Sequence, residues 1–246
     1  MDDLKRYEEL VKTIEYHNDR YYNQDDPEIS DYEYDMMMKE LKKIEKDHPE
    51  FVTPNSPTQH VGGSAKREAG VLVRHRVPML SLQDVFSKEE VQDFVKSMQE
   101  TLVDPVFVVE YKIDGLSMAL RYENGLLTTA ITRGDGIIQG EDVTVNAKVI
   151  KDVKNKLKEP IEYLEVRGEV YMTNEAFDKV NEIQELNNKK TFANPRNCAA
   201  GTLRQLDSRI TKQRNLSMFI FNIQDIRGKE ITSHSQGYEY LKIQGM

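Results

Sequence analysis

The chain has 246 residues, 38% of them hydrophobic and 31% charged, with a mean hydropathy of −0.66; this is long enough to bury a core, and no apolar run reaches the length of a membrane span. A single cysteine, Cys198, excludes an internal disulfide and any multi-cysteine zinc site within these residues, and fits a reducing compartment in which it is a buried thiol. The net charge of −8 is local, because residues 1–50 carry 16 Asp and Glu against 8 Lys and Arg while the other 196 residues balance at 26 against 26. With no basic-then-apolar start, a cytoplasmic, monomeric protein without membrane contact is expected.

Residues 3–21 place Leu4, Tyr7, Leu10, Val11, Ile14 and Tyr21 at helical spacing and predict an amphipathic helix. "NQDDPEI" is a turn, and "SDYE" opens a second helix through a capping-box pattern of Ser30 and Glu33, with Met37, Met38, Leu41 and Ile44 inward. "FVTPNSPTQHVGGSAKREAG" is rich in Pro, Gly and Ser and holds neither period, which places a domain boundary near residues 60–70, with Gly62 and Gly63 as a flexible joint.

"SKEE" at Ser87 repeats the capping pattern and predicts a helix with Val91, Phe94, Val95, Met98 and Leu102 facing inward. Residues 106–113 read as a strand, 116–122 and 126–132 as a hairpin turning at Asn124-Gly125, 163–172 and 216–223 as further strands, and 174–186 as a helix. Hairpins with scattered helices predict an α+β fold, a small helical domain followed by an antiparallel-rich one, and not a βαβ repeat.

One stretch stands apart. In "VVEYKIDG", strand alternation puts Glu110, Lys112 and Asp114 on one face and Phe107, Val109, Tyr111 and Ile113 on a core face. Cross-strand ion pairing at a sheet surface is the plain explanation of a lysine between acids. Three further stretches resist explanation by packing: "TRGDG" at 132–136, "EVRGEVYM" at 165–172 and "FANPRNCAAGTLRQLD" at 192–207. Residues 189–214 also hold seven Lys and Arg against Asp207 alone, an excess that suits phosphates or a solvated basic surface.

Together with "EYKIDG", these stretches resemble, in order and spacing, the adenylation domain of the bacterial NAD-dependent DNA ligases. "DDPEISDYEYD", "HPEFVTPNSPTQHVGG" and "VPMLSLQDVF" extend the resemblance through the N-terminal third. It implies a helical nicotinamide-mononucleotide-binding domain at 1–65 and a nucleotidyltransferase domain at 66–246, incomplete at its C-terminal end. In this family the lysine amine attacks the α-phosphorus of NAD, releases nicotinamide mononucleotide and holds AMP as a phosphoramidate; Lys112 is the matching position.

An unperturbed lysine of pKa ~10.4 is neutral at pH 7 in only roughly one molecule in a few thousand, so desolvation and a nearby magnesium ion are the expected agents of its activation. The resemblance assigns Glu110 to the adenine amino group, and Asp114 and Glu169 to magnesium or ribose. Gly115 and Arg133 fall at nucleotide-binding positions, Ser81 and Leu82 at the adenosine site, and Arg196 and Arg204 near the nucleotide and the DNA 5′-phosphate.

The Lys-x-Asp-Gly tetrad is shared with ATP-dependent ligases and capping enzymes, so the choice of NAD rests on the helices. Asp31, Tyr34 and Asp35 share one face at i, i+3 and i+4, near Tyr21 and Tyr22. Rings plus carboxylates suit a cationic pyridinium and ribose hydroxyls, and the family places nicotinamide mononucleotide there. Helix-terminal acids also stabilise a helix by about 0.3–1 kcal/mol, and Tyr34 beside Met37 and Leu41 also fits a core role.

Two departures stand out: Tyr22 occupies a position where some relatives have histidine, and the loop after Arg133 is one residue longer than usual. Two later lysine motifs that hold the α-phosphate have no counterpart here, a deficit of about several kcal/mol in the transition state. The expected function is therefore the adenylation region of an NAD-dependent DNA ligase with NAD and nicked DNA as partners, its DNA grip weak and nick sealing not expected of this chain alone. Two alternatives stay open: AMP transfer to another acceptor, and a non-catalytic module that binds NAD or nicotinamide mononucleotide.

Overall fold

Helix α1 (Asp2–Asn18) buries Tyr7, Leu10 and Ile14 against Leu41 of helix α2 (Asp31–Asp47), with Val11, Met37, Met38 and Ile44 packed around them. This is the stripe the periodicity predicts, except that it begins at Tyr7; Leu4 is exposed. The capping box at the start of α2 forms in full: Glu33 N–H donates to Ser30 Oγ at 3.2 Å, and Ser30 N–H donates to Glu33 Oε2 at 2.8 Å. Between the helices, α1 widens into a single π-helical turn, Asp19–Asn23, a form that recurs at functional sites. The computed structural model describes residues 2–23, 27–53, 56–59 and 70–246; the expected boundary near 65, with Gly62 and Gly63, lies outside the described residues.

The second unit begins with β1 (Leu72–Arg74) and α3 (Lys88–Thr101), followed by β2 (Leu116–Glu123), β3 (Leu126–Thr132), β4 (Gln139–Glu141) and the short α4 (Thr144–Ala147). Then come β5 (Tyr163–Tyr171), α5 (Asn174–Leu186), α6 (Pro195–Leu203), α7 (Ser208–Gln213), β6 (Ser217–Arg227) and α8 (His234–Gln244). Four strands make an antiparallel sheet in the order β3-β2-β5-β6, while β1 and β4 pair separately. The hairpin turns where expected, with φ of +50° at Asn124 and +75° at Gly125, the two left-handed residues that a tight turn matching strand twist requires.

One face of the sheet is core: Met118, Leu120 and Tyr122 of β2 and Leu164, Val166 and Val170 of β5 pack with Cys198, Ala199 and Leu203 of α6 and Tyr240 and Leu241 of α8. Cys198 is the buried thiol expected, and burial pushes its pKa up to about 11.

The opposite face is polar, with cross-strand neighbours Ser117 and Glu169, and Arg121 and Glu165. Three arginines on this side hold one strap of backbone. Arg121 Nη2 donates to the Arg74 carbonyl at 2.9 Å, Arg167 Nη2 to those of Val77 (3.2 Å) and Pro78, and Arg133 Nε to that of Met79 at 3.1 Å. Arg121 can be buried because Glu165, itself fully buried, accepts from its Nε at 2.7 Å and from the Tyr163 hydroxyl at 2.8 Å.

Two expectations are corrected. Residues 106–113 form no strand: no backbone hydrogen bond links residues 103–114 to another strand among the described residues. Val109 and Tyr111, placed on the core face with Phe107 and Ile113, are 98% and 90% exposed. Period-2 alternation reports a face that can be buried, and a strand also needs a neighbour to take its backbone groups. Likewise α3 forms behind its Ser87 cap but buries no residue; Val91, Phe94 and Leu102 stay about half exposed, and Phe94 meets Phe107 of this same unpaired segment edge to face at 6.2 Å. In addition, "NPRNCAAGTL" forms a helix: Asn194 caps it and Pro195 takes its first position.

Leaving Glu165 ionised and buried is costly, so Arg121→Leu is expected to destabilise the chain by roughly 3–5 kcal/mol. Adding Glu165→Leu should recover most of that loss; urea denaturation monitored by circular dichroism tests both. In hydrogen exchange, the amides of residues 103–113 should exchange at the earliest times while residues 116–132 remain protected; slow exchange over 103–113 would contradict the unpaired arrangement.

Candidate functional site

The turn at the end of α1 and the start of α2 face the residues that follow the unpaired segment across a cleft of about 340 Å³. From the helical unit come His17, Asn18, Tyr21, Glu28, Asp31, Tyr34 and Asp35; from the second unit come Asp84, Lys112, Asp114 and Arg196. Of the residues singled out in the sequence, Tyr21, Asp31, Tyr34, Asp35, Lys112, Asp114 and Arg196 are thus brought together from positions up to 175 apart in number. Tyr22 lies in the same π turn, and its side chain is outside the described part.

Local contacts fix the lining. The Tyr34 hydroxyl donates to Asn18 Oδ1 at 2.7 Å, tying the second helix to the first across the cleft wall. Arg196, in the first turn of α6, donates from Nη1 to Asp114 Oδ1 at 3.2 Å and sets its guanidinium 5.0 Å from the centre of the Tyr21 ring. One cation therefore bridges the helical unit and the loop after Lys112. Gly115, next in the chain, lies so close to β5 that a Cβ there would collide with the Val170 carbonyl and touch Glu169; only glycine lets the chain enter β2 at this point.

Electrostatics converge on Lys112 from both sides. Burial, followed by the like charges of Asp84 and Asp31, raises the Asp35 carboxyl above its ordinary range, with Lys112 opposing the rise. Burial also raises Glu169, against the Ser117 hydroxyl that donates to it at 2.7 Å and the positive charges of Arg196 and Lys112. The ammonium of Lys112 thus acts on one carboxyl from the helices and one from the sheet.

Other expected site residues lie elsewhere. Glu110 Oε1 accepts from Tyr238 at 2.5 Å and His234 Nε2 at 2.8 Å, both on α8, and Tyr238 first, then His234, hold its carboxyl low. Arg133 donates to Ser81 Oγ at 2.5 Å on the strap, and Leu82 is 74% exposed; none of these three lines the cleft. Arg204, at the far end of α6 from Arg196, pairs with Glu141 at 3.2 Å with both side chains largely buried. The basic excess of 189–214 is partly engaged within the chain, on Asp114, Glu141, Asp207 and the Phe192 ring.

Sequence reasoning missed His17, Asn18 and Asp84. The first two stand four and three residues before Tyr21, one helical turn away, and that spacing was the available signal. Asp84 lies two residues beyond Leu82 in "LSLQD".

The magnesium expectation does not fit a site built by the protein. Among the described residues no group of three or more His, Cys, Asp or Glu side chains is placed to hold a metal ion. Asp114 is 66% exposed and engaged with Arg196, and Glu169 is engaged with Ser117.

The raised Glu169 carboxyl has a consequence for stability. The folded form keeps its proton to higher pH than the unfolded form, so the native state holds the extra proton in the window from the ordinary Glu range up to the raised value. The protonated group's contribution is present below that window and lost as pH rises through it. The melting temperature of Glu169→Gln relative to wild type should therefore rise with pH across the window, by about 2–4 °C for each kcal/mol. A pH-independent difference in scanning calorimetry would contradict this.

Comparison with known proteins bears directly on this arrangement. Residues 70–246 match the family model of the NAD-dependent DNA ligase adenylation domain, and residues 1–62 match that of the DNA ligase-like N-terminal NAD+-binding domain. A DNA ligase of Clostridium kluyveri is 56% identical over 245 residues, covering 100% of this chain and 37% of that protein. A DNA ligase of Caldicellulosiruptor saccharolyticus is 54% identical over 98% of this chain and 36% of its own length, and one of Clostridioides difficile 49% over 95% and 34%. The chain spans little more than a third of the length of these curated relatives. Its cleft lies where the two matched domains meet, and the chain belongs to the NAD-dependent DNA ligase family, of which it carries the N-terminal NAD+-binding and adenylation domains.

Proposed function

We propose that Lys112 is the nucleophile that takes AMP from NAD, with residues 1–65 acting as the nicotinamide-mononucleotide-binding unit and 66–246 as the nucleotidyltransferase unit. The observation that carries this reading is that Lys112 shares one cleft with Tyr21, Asp31, Tyr34 and Asp35 of the N-terminal unit. A lysine serving only surface ion pairs has no need of a second unit's aromatic and acidic face.

In the proposed step the neutral Lys112 amine attacks the α-phosphorus of NAD. A P–N bond forms, the P–O bond to nicotinamide mononucleotide breaks, and the bonding pair leaves on the mononucleotide's phosphate oxygen. The proton shed by the ammonium passes toward the carboxyls of Asp35 in the cleft and Glu169 on the adjoining sheet, both held above the ordinary range. Arg196 is proposed to meet phosphate charge near Lys112, and Tyr21 and Tyr34 with Asp31 and Asp35 to take the pyridinium and ribose. Tyr22, Ser81, Leu82, Glu110, Gly115, Arg133 and Arg204 keep their proposed nucleotide or DNA roles from the resemblance. Magnesium is proposed to enter on the nucleotide phosphates and not through a cage of Asp114 and Glu169. In the whole protein AMP would then pass to the 5′-phosphate of nicked DNA.

A second reading, binding without chemistry, is favoured by one observation: Glu110 is engaged by His234 and Tyr238, and Ser81 and Leu82 stand away from the cleft, so the adenosine side is not assembled around Lys112.

Intact mass after incubation with magnesium and NAD, or magnesium and ATP, separates the two. Gain of one AMP from NAD alone, lost in Lys112→Ala, is the expected result. Binding of nicotinamide mononucleotide with no adduct from either nucleotide would instead establish the binding module.

A further inference from the structure

His17 lines the cleft and carries a polar atom with no evident employment. Its Nδ1 is buried and, among the described residues, has no hydrogen-bond partner, and on one side the ring is met edge-on by Tyr16 at 5.2 Å between centres. A buried polar atom left unmatched is destabilising, and native structures seldom retain one without a water, ion or ligand to satisfy it. Because His17 also lines the cleft with Lys112, the vacancy in its hydrogen bonding is met most economically from within the cleft.

The chemistry of the lining indicates which part of a ligand would do so. Phosphate suits the second unit's side, where Lys112 and Arg196 stand; the pyridinium ring suits the helical side, with Tyr21, Tyr34 and the carboxylates of Asp31 and Asp35. His17 belongs to α1, on the helical side. The only hydrogen-bonding group on a nicotinamide ring is its carboxamide, which offers both an N–H donor and a carbonyl acceptor and so satisfies Nδ1 in either neutral tautomer.

We propose that His17 is a specificity-determining residue that hydrogen-bonds the carboxamide of nicotinamide through Nδ1. This deepens the function proposed above and rests on its placing nicotinamide mononucleotide in the cleft. The contact distinguishes a nicotinamide nucleotide from a pyridine nucleotide lacking the amide, much as a site built to pair a polar group discriminates against an analogue without it.

The test is a cycle of ligand and protein changes on the full 246-residue chain, read by calorimetric binding. The probes are nicotinamide mononucleotide and the same mononucleotide with an unsubstituted pyridinium ring. Wild type should bind the first about five- to tenfold more tightly, the range of one net hydrogen bond. His17→Ala should bind both within about twofold of each other. His17→Asn, whose amide reaches near the position of Nδ1 and which leaves the helix and its packing intact, should restore most of the preference. An equal preference in wild type and His17→Ala would overturn the proposal while leaving the cleft's assignment standing. Failure of wild type to bind nicotinamide mononucleotide would overturn the assignment of the cleft, and this inference with it.

Discussion

Three arginines gripping one strap of backbone set the geometry on which the cleft depends. Arg121, Arg133 and Arg167 reach from the polar face of the sheet and the loop after β3 to carbonyls between residues 74 and 79. A carbonyl takes a guanidinium well, but burying the cation requires a counter-charge, and Glu165 supplies it for Arg121. The strap leads directly to Ser81, Leu82 and Asp84, so its grip decides where the second unit presents Asp84 to the helices. The polar face of a half-buried sheet thus acts as a clamp as well as a solvated surface.

The cleft itself is a meeting of opposite requirements. In the proposed reaction Lys112 must lose a proton while nearby carboxylates favour keeping it, and the structure moderates this conflict by raising two of them. Burial and like-charge crowding make Asp35 and Glu169 weaker acids, which lowers their hold on the ammonium. Arg196 moderates the charge further by engaging Asp114 and stacking on Tyr21. The arrangement works only with both units present, because neither the helices nor the sheet alone encloses Lys112.

Much of this was legible in the sequence, for identifiable reasons. Hydrophobic periodicity predicted α1 and α2, and Asn124-Gly125 fixed the hairpin, because both signals report local geometry that nothing elsewhere in the chain overrides. The shared face of Asp31, Tyr34 and Asp35 was visible from helical spacing, with Tyr21 at the end of the preceding helix. The failures are non-local. Alternation at 106–113 cannot say whether a neighbouring strand exists, and the inward stripe of α3 buries no residue against it. Glu110 could not be foreseen against His234 and Tyr238, more than 120 positions away. His17 went unnoticed because a lone histidine on an amphipathic helix resembles ordinary core, and only its unmatched nitrogen distinguishes it.

The unpaired run that leads to Lys112 bears on how this proposed nucleophile acquires its position. On its C-terminal side the lysine is tethered tightly, since Gly115 is wedged against β5 and leads directly into β2. On its N-terminal side the residues from 103 to 109 belong to no ladder. Lys112 is therefore fixed by backbone packing on one side, and on the other by the Glu110 side chain held on α8, so part of its backbone freedom is intact before a nucleotide arrives. Ordering a residue's backbone costs about 1–2 kcal/mol, so part of the interaction energy between this cleft and its ligand is consumed in immobilising the segment that carries the amine. Under the proposed function, affinity and reactivity at this site are coupled through the entropy of that tether, and any contact that stiffens residues 103–111 would sharpen the aim of Lys112 without touching the cleft.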